Sequence, residues 1–180
     1  MQFKVLLVGE AGVGKSTLLQ RHHQGSFDQV KPTIGLGFSA KSTRQMRLLF
    51  WDAAGDARFR CPVQSFARGA HAALLLFDLS NRTSFAKLQP SVWQELQVYG
   101  EPDMRLVLVG CKADLPRQVS RQEAADVALM HNMLYYETSA KTGRGVSALF
   151  EALADSLLPD LELQTLREPL LNPVRFSGCC

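Results

Sequence analysis

Residues Gly9-Glu10-Ala11-Gly12-Val13-Gly14-Lys15-Ser16 fit the pattern G-x-x-x-x-G-K-[ST] without a mismatch, between an apolar run and a helix-like stretch. Glycines in such a loop let successive backbone N–H groups turn inward around phosphate oxygens, where a Cβ would clash. A helix opening near Lys15 adds its positive N-terminal end. Lys15 is placed to reach β- and γ-phosphates, and the Ser16 hydroxyl to ligate Mg²⁺. Ala11, Gly12, Val13, Gly14, Lys15, Ser16 and Thr17 are therefore expected to hold a nucleoside triphosphate.

This motif alone leaves kinases, ATPases and GTPases open. Residues downstream narrow the choice. Trp51-Asp52-Ala53-Ala54-Gly55 closes a strand, placing Asp52 where a carboxylate meets Mg²⁺ directly or one ligand removed. Lys112-Ala113-Asp114 follows a second strand, and Ser139-Ala140-Lys141 a third. An aspartate pairs with two adjacent N–H donors of guanine, which adenine lacks, and Lys112 can lie over the base plane. The order of these tripeptides and their place at strand ends point to a guanine nucleotide. A small P-loop kinase would carry an arginine-rich lid and a second substrate pocket, and neither is legible in the chain.

The elements that must position these residues follow from periodicity. Apolar runs at 3–8, 47–51, 72–77, 105–109 and 134–137 read as strands, several so continuously apolar that both faces are buried, as in a parallel sheet. Ser120 with Glu123 three residues later forms a capping box that opens a helix to about Met130. Pro90 starts another helix, reaching Tyr99, at a position where its missing N–H costs least. Val146, Leu149, Phe150, Leu153 and Leu157 repeat at helical spacing, with Pro159 just beyond. Strand–helix alternation of this kind implies an α/β three-layer domain over 1–158, followed by a flexible tail over 159–180.

Bulk properties exclude several classes. The 180 residues suffice for one compact domain, and no apolar run approaches the roughly 20 residues of a bilayer span. A net charge of +3 with no basic cluster gives no reason to expect nucleic acid as a partner. The chain runs from Met1 almost directly into a strand, so no signal peptide is expected, and its cysteines are expected to be reduced thiols in a cytosolic compartment.

Over about residues 1–158 the chain resembles the Ras-like small GTPases, and within them the Rab family. Lys-Pro-Thr-Ile-Gly-Leu-Gly-Phe (31–38) is similar to the Rab switch I signature. Residues 47–55, Ala-Arg-Phe-Arg (57–60), Ala-Arg-Gly-Ala (67–70) and Leu-Leu-Phe-Asp (75–78) resemble further Rab signatures in order. The resemblance implies a P-loop NTPase fold, with a mostly parallel six-stranded sheet flanked by about five helices. It implies a monomeric GTPase yielding GDP and phosphate, with Lys15, Thr33, Gly55 and position 56 around the reaction. Thr33 would join Ser16 and Asp52 at Mg²⁺ and sense the γ-phosphate; the Gly55 N–H would contact that phosphate. Phe27 would pack against guanine. Phe38, Trp51 and Phe66 match aromatics presented to effectors, the alternative being packing between the switches and the sheet. The implied partners are effectors, an exchange factor, a GTPase-activating protein, an escort protein and a GDP-dissociation inhibitor. The implied place is the cytoplasmic face of an endomembrane, cycling with cytosol, in the control of vesicle traffic.

The chain departs from this pattern at points that matter chemically. Asp56 stands where the family usually has the glutamine that orients the attacking water. A glutamine amide both donates and accepts, whereas a carboxylate only accepts. At about 4 Å and an effective dielectric near 20, its charge beside the γ-phosphate costs on the order of 4 kcal/mol. Slow hydrolysis and a persistent GTP form are therefore expected, and the alternative reading is a nucleotide-binding scaffold with negligible GTPase activity. Many Rab activators insert their own glutamine and arginine, so stimulated turnover stays open. Cys111 replaces the asparagine before Lys112 and removes an amide that helps hold base and phosphate loop, so weaker nucleotide retention is expected. Cys61 and Pro62 replace a polar run, so no effector surface is carried over there.

The terminal Cys179-Cys180 resembles the Rab prenylation signal, in which both thiols carry geranylgeranyl groups. Each buried CH₂ contributes about 0.8 kcal/mol, and one chain anchors only marginally, which is the reason for two. Arg167 and Arg175 are offset by Asp160, Glu162 and Glu168, so the lipids would have to hold the membrane unaided.

Overall fold

The structure is a computed structural model of the chain, describing residues 1–28, 30–43, 46–55, 63–88 and 90–167. Its strands are β1 (Gln2–Val8), β2 (Leu36–Ser42), β3 (Arg47–Ala53), β4 (Ala72–Asp78), β5 (Arg105–Cys111) and β6 (Leu134–Glu137). Its helices are α1 (Lys15–Gln24), α2 (Val63–Ala67), α3 (Arg82–Ala86), α4 (Pro90–Tyr99), α5 (Arg121–Met130) and α6 (Val146–Arg167). They form a six-stranded sheet in the order β2-β3-β1-β4-β5-β6, parallel except for the β2–β3 pair.

Period-2 alternation feeds two cores. Val5, Leu7, Leu74, Leu76 and Val109 face one side, where they meet Leu18 of α1 and Leu149, Phe150 and Leu153 of α6. Leu6, Leu75, Phe77 and Leu108 face the other, against Phe66, Trp93, Leu96 and Ala124. Every residue of β4 is buried, as expected of a central strand covered on both faces. His22 stacks on Phe150 with ring centroids 3.7 Å apart; burial first, then the Lys41 and His23 charges, push its imidazole down to about 3, so it packs as a neutral ring.

The chain leaves β1 toward β3 on one side and returns from β3 to β4 on the other. The carboxyl ends of β1, β3 and β4 therefore frame a crevice at the point where strand order reverses, the usual ligand position in open α/β sheets. Gly9–Ser16 lies at that crevice, directly after β1.

Three features differ from the pattern reading. β2 is a sixth strand that the apolar runs do not show: it is an edge strand of partly exposed residues, LGFSAKS, held by antiparallel pairing with β3 from Leu36↔Ala53 to Ser42↔Arg47. The short helices α2 and α3 also escape the pattern reading; with them the described residues hold six helices, in keeping with the about five that the resemblance implies. Helix α6 does not stop before Pro159 but runs to Arg167, so 159–167 of the expected tail is helical. A proline inside a helix removes one N–H and crowds the preceding turn, yet leaves the remaining ladder intact. Residues 168–180, with Cys179 and Cys180, lie outside the described residues, as do Asp56 and the 57–62 segment.

Candidate nucleotide site

The phosphate loop is built from backbone geometry. Gly14 caps α1 with φ 109°, a left-handed conformation that an L side chain resists, and no side chain caps the helix. The first N–H groups of α1 are thus offered to whatever lies above them, and an anion suits them best. Gly55 presses against the same loop: a Cβ there would fall 2.3 Å from the Ala11 nitrogen. Only glycine fits so close an approach. Ala11, Gly12, Gly14, Lys15, Ser16, Thr17, Thr33 and Gly55 line one cavity of about 420 Å³. Lys15 is buried, with its ammonium donating to the Gly9 and Glu10 carbonyls at 2.9 Å each.

Ser16, Thr33 and Asp52 converge beside this cavity. The Ser16 and Thr33 hydroxyl oxygens are 2.9 Å apart. Both hydroxyls donate to Asp52 Oδ2, that of Thr33 at 3.3 Å. Asp52 Oδ1 is buried with no hydrogen-bond partner among the described residues. Burial pushes this carboxyl above its usual range, outweighing the hydrogen bonds from Ser16 and Thr33 and the charge of Lys15. An orphaned carboxylate oxygen next to two hydroxyls is a hard-oxygen set, and it fits Mg²⁺, which takes one or two protein ligands and completes its shell with phosphate and water.

A second cavity of about 650 Å³ shares Gly12, Gly14, Thr17 and Val30 with the first, so the two form one trough. Val13, Phe27, Cys111, Lys112, Asp114, Ala140 and Lys141 also line it. Phe27 is 49% exposed rather than packed into the core, which leaves its ring free to cover a base. Ser139 donates to Asp114 Oδ1 at 2.6 Å, tying the two loops that follow β5 and β6. The Ala113 N–H donates to the Thr138 carbonyl at 3.0 Å, a second tie between them. Lys112 adopts φ 60°, and its ammonium reaches Asp78 Oδ2 at 2.7 Å. Burial raises the Asp78 carboxyl, but the bonds from Lys112 and Ser80 together hold it below its usual value.

Cys111 is buried, and the Cβ a side chain would have at Gly14 lies 3.9 Å from its own, so it packs against the phosphate loop. Burial pushes its thiol up to about 12, which makes it an inert apolar filler. The Thr138 hydroxyl faces its sulfur at 3.9 Å, a weak contact where an amide would have offered several bonds.

The structure thus gathers Ala11 to Thr17, Phe27, Thr33, Asp52, Gly55, Lys112, Asp114, Ser139, Ala140 and Lys141 around one trough. It separates the three aromatics. Phe38 is 59% exposed and makes an edge contact with the half-buried Trp51 at 5.3 Å, whereas Phe66 is buried at 3% and packs in the core. Asp78 closes the Leu-Leu-Phe-Asp stretch at 75–78, but its tie to Lys112 is not among the expected site contacts; its place at the carboxyl end of β4 is the available signal. A larger hollow of about 780 Å³, between α1, β3 and α6, contains none of the sequence-predicted site residues. No helix of the described residues is long and apolar enough to cross a membrane.

Comparison with known proteins agrees with this geometry. The Ras family profile matches residues 4–159. The chain is 40% identical over 162 residues to Ras-related protein Rab-18-B of Danio rerio, covering 86% of this chain and 78% of that protein. It is 38% identical over 183 residues to Ras-related protein Rab-30 of Homo sapiens, covering 98% and 90%. The same identity over 183 residues relates it to Ras-related protein RABC1 of Arabidopsis thaliana, covering 98% and 82%. A phosphate loop at the switch point of a 2-3-1-4-5-6 sheet, an aspartate-bearing loop after β5 and a family match spanning the whole domain lead to one conclusion: the chain belongs to the Ras family of small GTPases, in its Rab branch.

Proposed function

We propose that the protein is a Rab-type switch in intracellular membrane traffic, which holds GTP in the trough, hydrolyses it slowly and engages effectors while GTP-bound. The observation that carries this reading is the meeting of Thr33, from the segment before β2, with Ser16 and Asp52 at the phosphate cavity. A group that contacts the γ-phosphate side and also anchors the segment leading into β2 and its exposed Phe38 can report the nucleotide's state to a partner.

In this reading Asp114 accepts the guanine N–H donors, Lys112 and Phe27 flank the base, and Ala11 to Thr17 wrap the phosphates. Lys15 exchanges its carbonyl partners for phosphate oxygens and stabilises the charge that develops on them as water attacks. The Gly55 N–H donates to the γ-phosphate. Mg²⁺, held by Ser16 and Thr33 with Asp52 beside them, supplies further charge neutralisation when bound. Asp56 lacks a donor to orient the water, which accounts for the slow rate. Attachment to the cytoplasmic face of an endomembrane would come from geranylgeranyl groups on Cys179 and Cys180, and the escort, exchange, activating and dissociation-inhibiting partners are those of Rab proteins.

The second reading, a guanine-nucleotide-bound scaffold without turnover, is favoured by the same Asp56 and by Cys111, whose thiol gives the phosphate loop no amide support. Single-turnover hydrolysis of preloaded GTP separates the two. Slow but complete release of phosphate, accelerated by a Rab-type activating protein, is the expected result. Release that stays at the uncatalysed rate with and without the activator would establish the scaffold.

A further inference from the structure

Arg21 lies in the last turn of α1, outside every phosphate- and base-binding motif in the sequence. Its Nε donates to the Ala140 carbonyl at 2.6 Å and its Nη2 to the Lys141 carbonyl at 2.5 Å. Its Nη1 donates to the Gly25 carbonyl, which anchors the guanidinium to its own helix end. The Ser139 carbonyl, one residue earlier in the same loop, accepts from the Gly143 N–H at 2.8 Å. Gly143 adjoins Arg21, since a Cβ there would sit 3.9 Å from the guanidinium carbon. Three successive carbonyls of the loop are therefore drawn to one side.

A trans peptide points its N–H opposite to its carbonyl, and no peptide bond among the described residues is cis. The Ala140 N–H, in the plane of the Ser139 carbonyl, and the Lys141 N–H, in the plane of the Ala140 carbonyl, are turned away from Arg21. Both residues line the base cavity. Two parallel N–H donors at a cavity wall match an exocyclic oxygen and repel an amino group.

We propose that Arg21 is a positioning residue for base recognition, which holds the loop after β6 so that its N–H donors read the 6-oxo group of guanine. The inference rests on the guanine-nucleotide reading of the trough and adds to it the residue that orients the loop after β6. Guanidinium is suited to this task because its planar fork spans two carbonyls at once, whereas an ammonium is a single point. Lys15 and Arg21 stand six residues apart on one helix, about 9 Å along its axis. The phosphate end and the base loop are thereby held in register by one rigid rod.

The test compares three diphosphates on the Mg²⁺-loaded chain by competition: GDP, inosine diphosphate, which keeps the 6-oxo group, and 2-aminopurine riboside diphosphate, which lacks it. In Arg21→Ala, affinity for the two 6-oxo nucleotides is expected to fall about tenfold, the equivalent of one hydrogen bond to a charged or well-placed partner. Affinity for the 2-aminopurine analogue is expected to change by less than about twofold, since the contact that Arg21 sets up is missing from it. Arg21→Lys should fall between wild type and Arg21→Ala for GDP, and it carries the test where the alanine variant does not fold. An equal loss for all three nucleotides in either variant, or no loss for GDP, overturns the proposal. Absence of saturable GDP uptake by the unsubstituted chain overturns the underlying reading as well, and is told apart from the other outcomes by the wild-type control.

Discussion

Asp114→Asn is expected to weaken GDP binding by about three orders of magnitude and to raise affinity for xanthosine diphosphate above that of the wild type. Asp114 sits at the base cavity with one oxygen fixed by the Ser139 hydroxyl at 2.6 Å. Each carboxylate oxygen has two lone pairs, so that bond leaves acceptor capacity on both for the two adjacent N–H groups of guanine. Hydrogen bonds to charged groups contribute about 1.5–3 kcal/mol each; asparagine loses one, reduces the other to a neutral bond and sets a donor against a donor, which together give the stated factor. Asparagine presents one donor and one acceptor. Against guanine the donor meets a donor; against xanthine, whose second position is a carbonyl, both groups pair. Competition binding of the two diphosphates measures the exchange. A gain for xanthosine diphosphate cannot come from a misfolded variant, so the reversal of preference is the decisive sign. Loss of GDP affinity with no gain for the xanthine nucleotide would mean that Asp114 supports the loop without reading the base.

Asp56→Gln is expected to speed single-turnover GTP hydrolysis by about tenfold to a hundredfold. Asp56 follows Gly55, which lines the phosphate cavity and packs on the phosphate loop. A carboxylate brought to about 4 Å from the γ-phosphate would repel it by about 1 kcal/mol at the dielectric of water and about 4 kcal/mol near 20. Each 1.36 kcal/mol is a factor of ten in rate, so relief of even part of the repulsion is measurable. Glutamine also restores a donor that can hold water in line. Asp56→Asn separates the two effects, because it removes the charge while keeping the shorter side chain. An asparagine variant as fast as glutamine assigns the difference between wild type and glutamine to charge; one no faster than wild type assigns it to water orientation. Rates that do not differ among the three chains would remove Asp56 from the account of hydrolysis.

Local signals were legible in the sequence wherever a short stretch contains its own partner. The capping box is one: Ser120 accepts from the Glu123 N–H at 3.1 Å, and α5 starts at Arg121 as expected. The strand over 134–137 and the helix from Pro90 to Tyr99 appear with their expected bounds, and the phosphate loop sits between β1 and α1. β2 escaped because it owes its form to β3: Gly37, Ser39 and Lys41 interrupt any apolar alternation, and cross-strand pairing supplies what propensity lacks. The end of α6 was misplaced because Pro159 was read as a stop, although one missing N–H does not end a helix. Phe66 shows a further limit, since an aromatic in a family signature gives no sign of whether it faces partner or core.

Within the site, the described residues carried by motifs lie around one trough. The tethers that orient them were not legible. Lys112 is held by Asp78 from the end of β4, and the loop after β6 by Arg21, which lies 119 residues earlier in the chain. Such pairings depend on how the sheet brings distant strand ends together, and no local pattern encodes them.

Calorimetric titration of the nucleotide-free chain with GDP, with and without Mg²⁺, tests the central claim most directly. The expected result is one saturable site per chain, tight with Mg²⁺ and clearly weaker when the ion is chelated, because the orphaned Asp52 oxygen and the Ser16 and Thr33 hydroxyls then lose the cation they suit. A titration with no saturable heat or retained nucleotide at full Mg²⁺ would contradict the account from the phosphate loop outward.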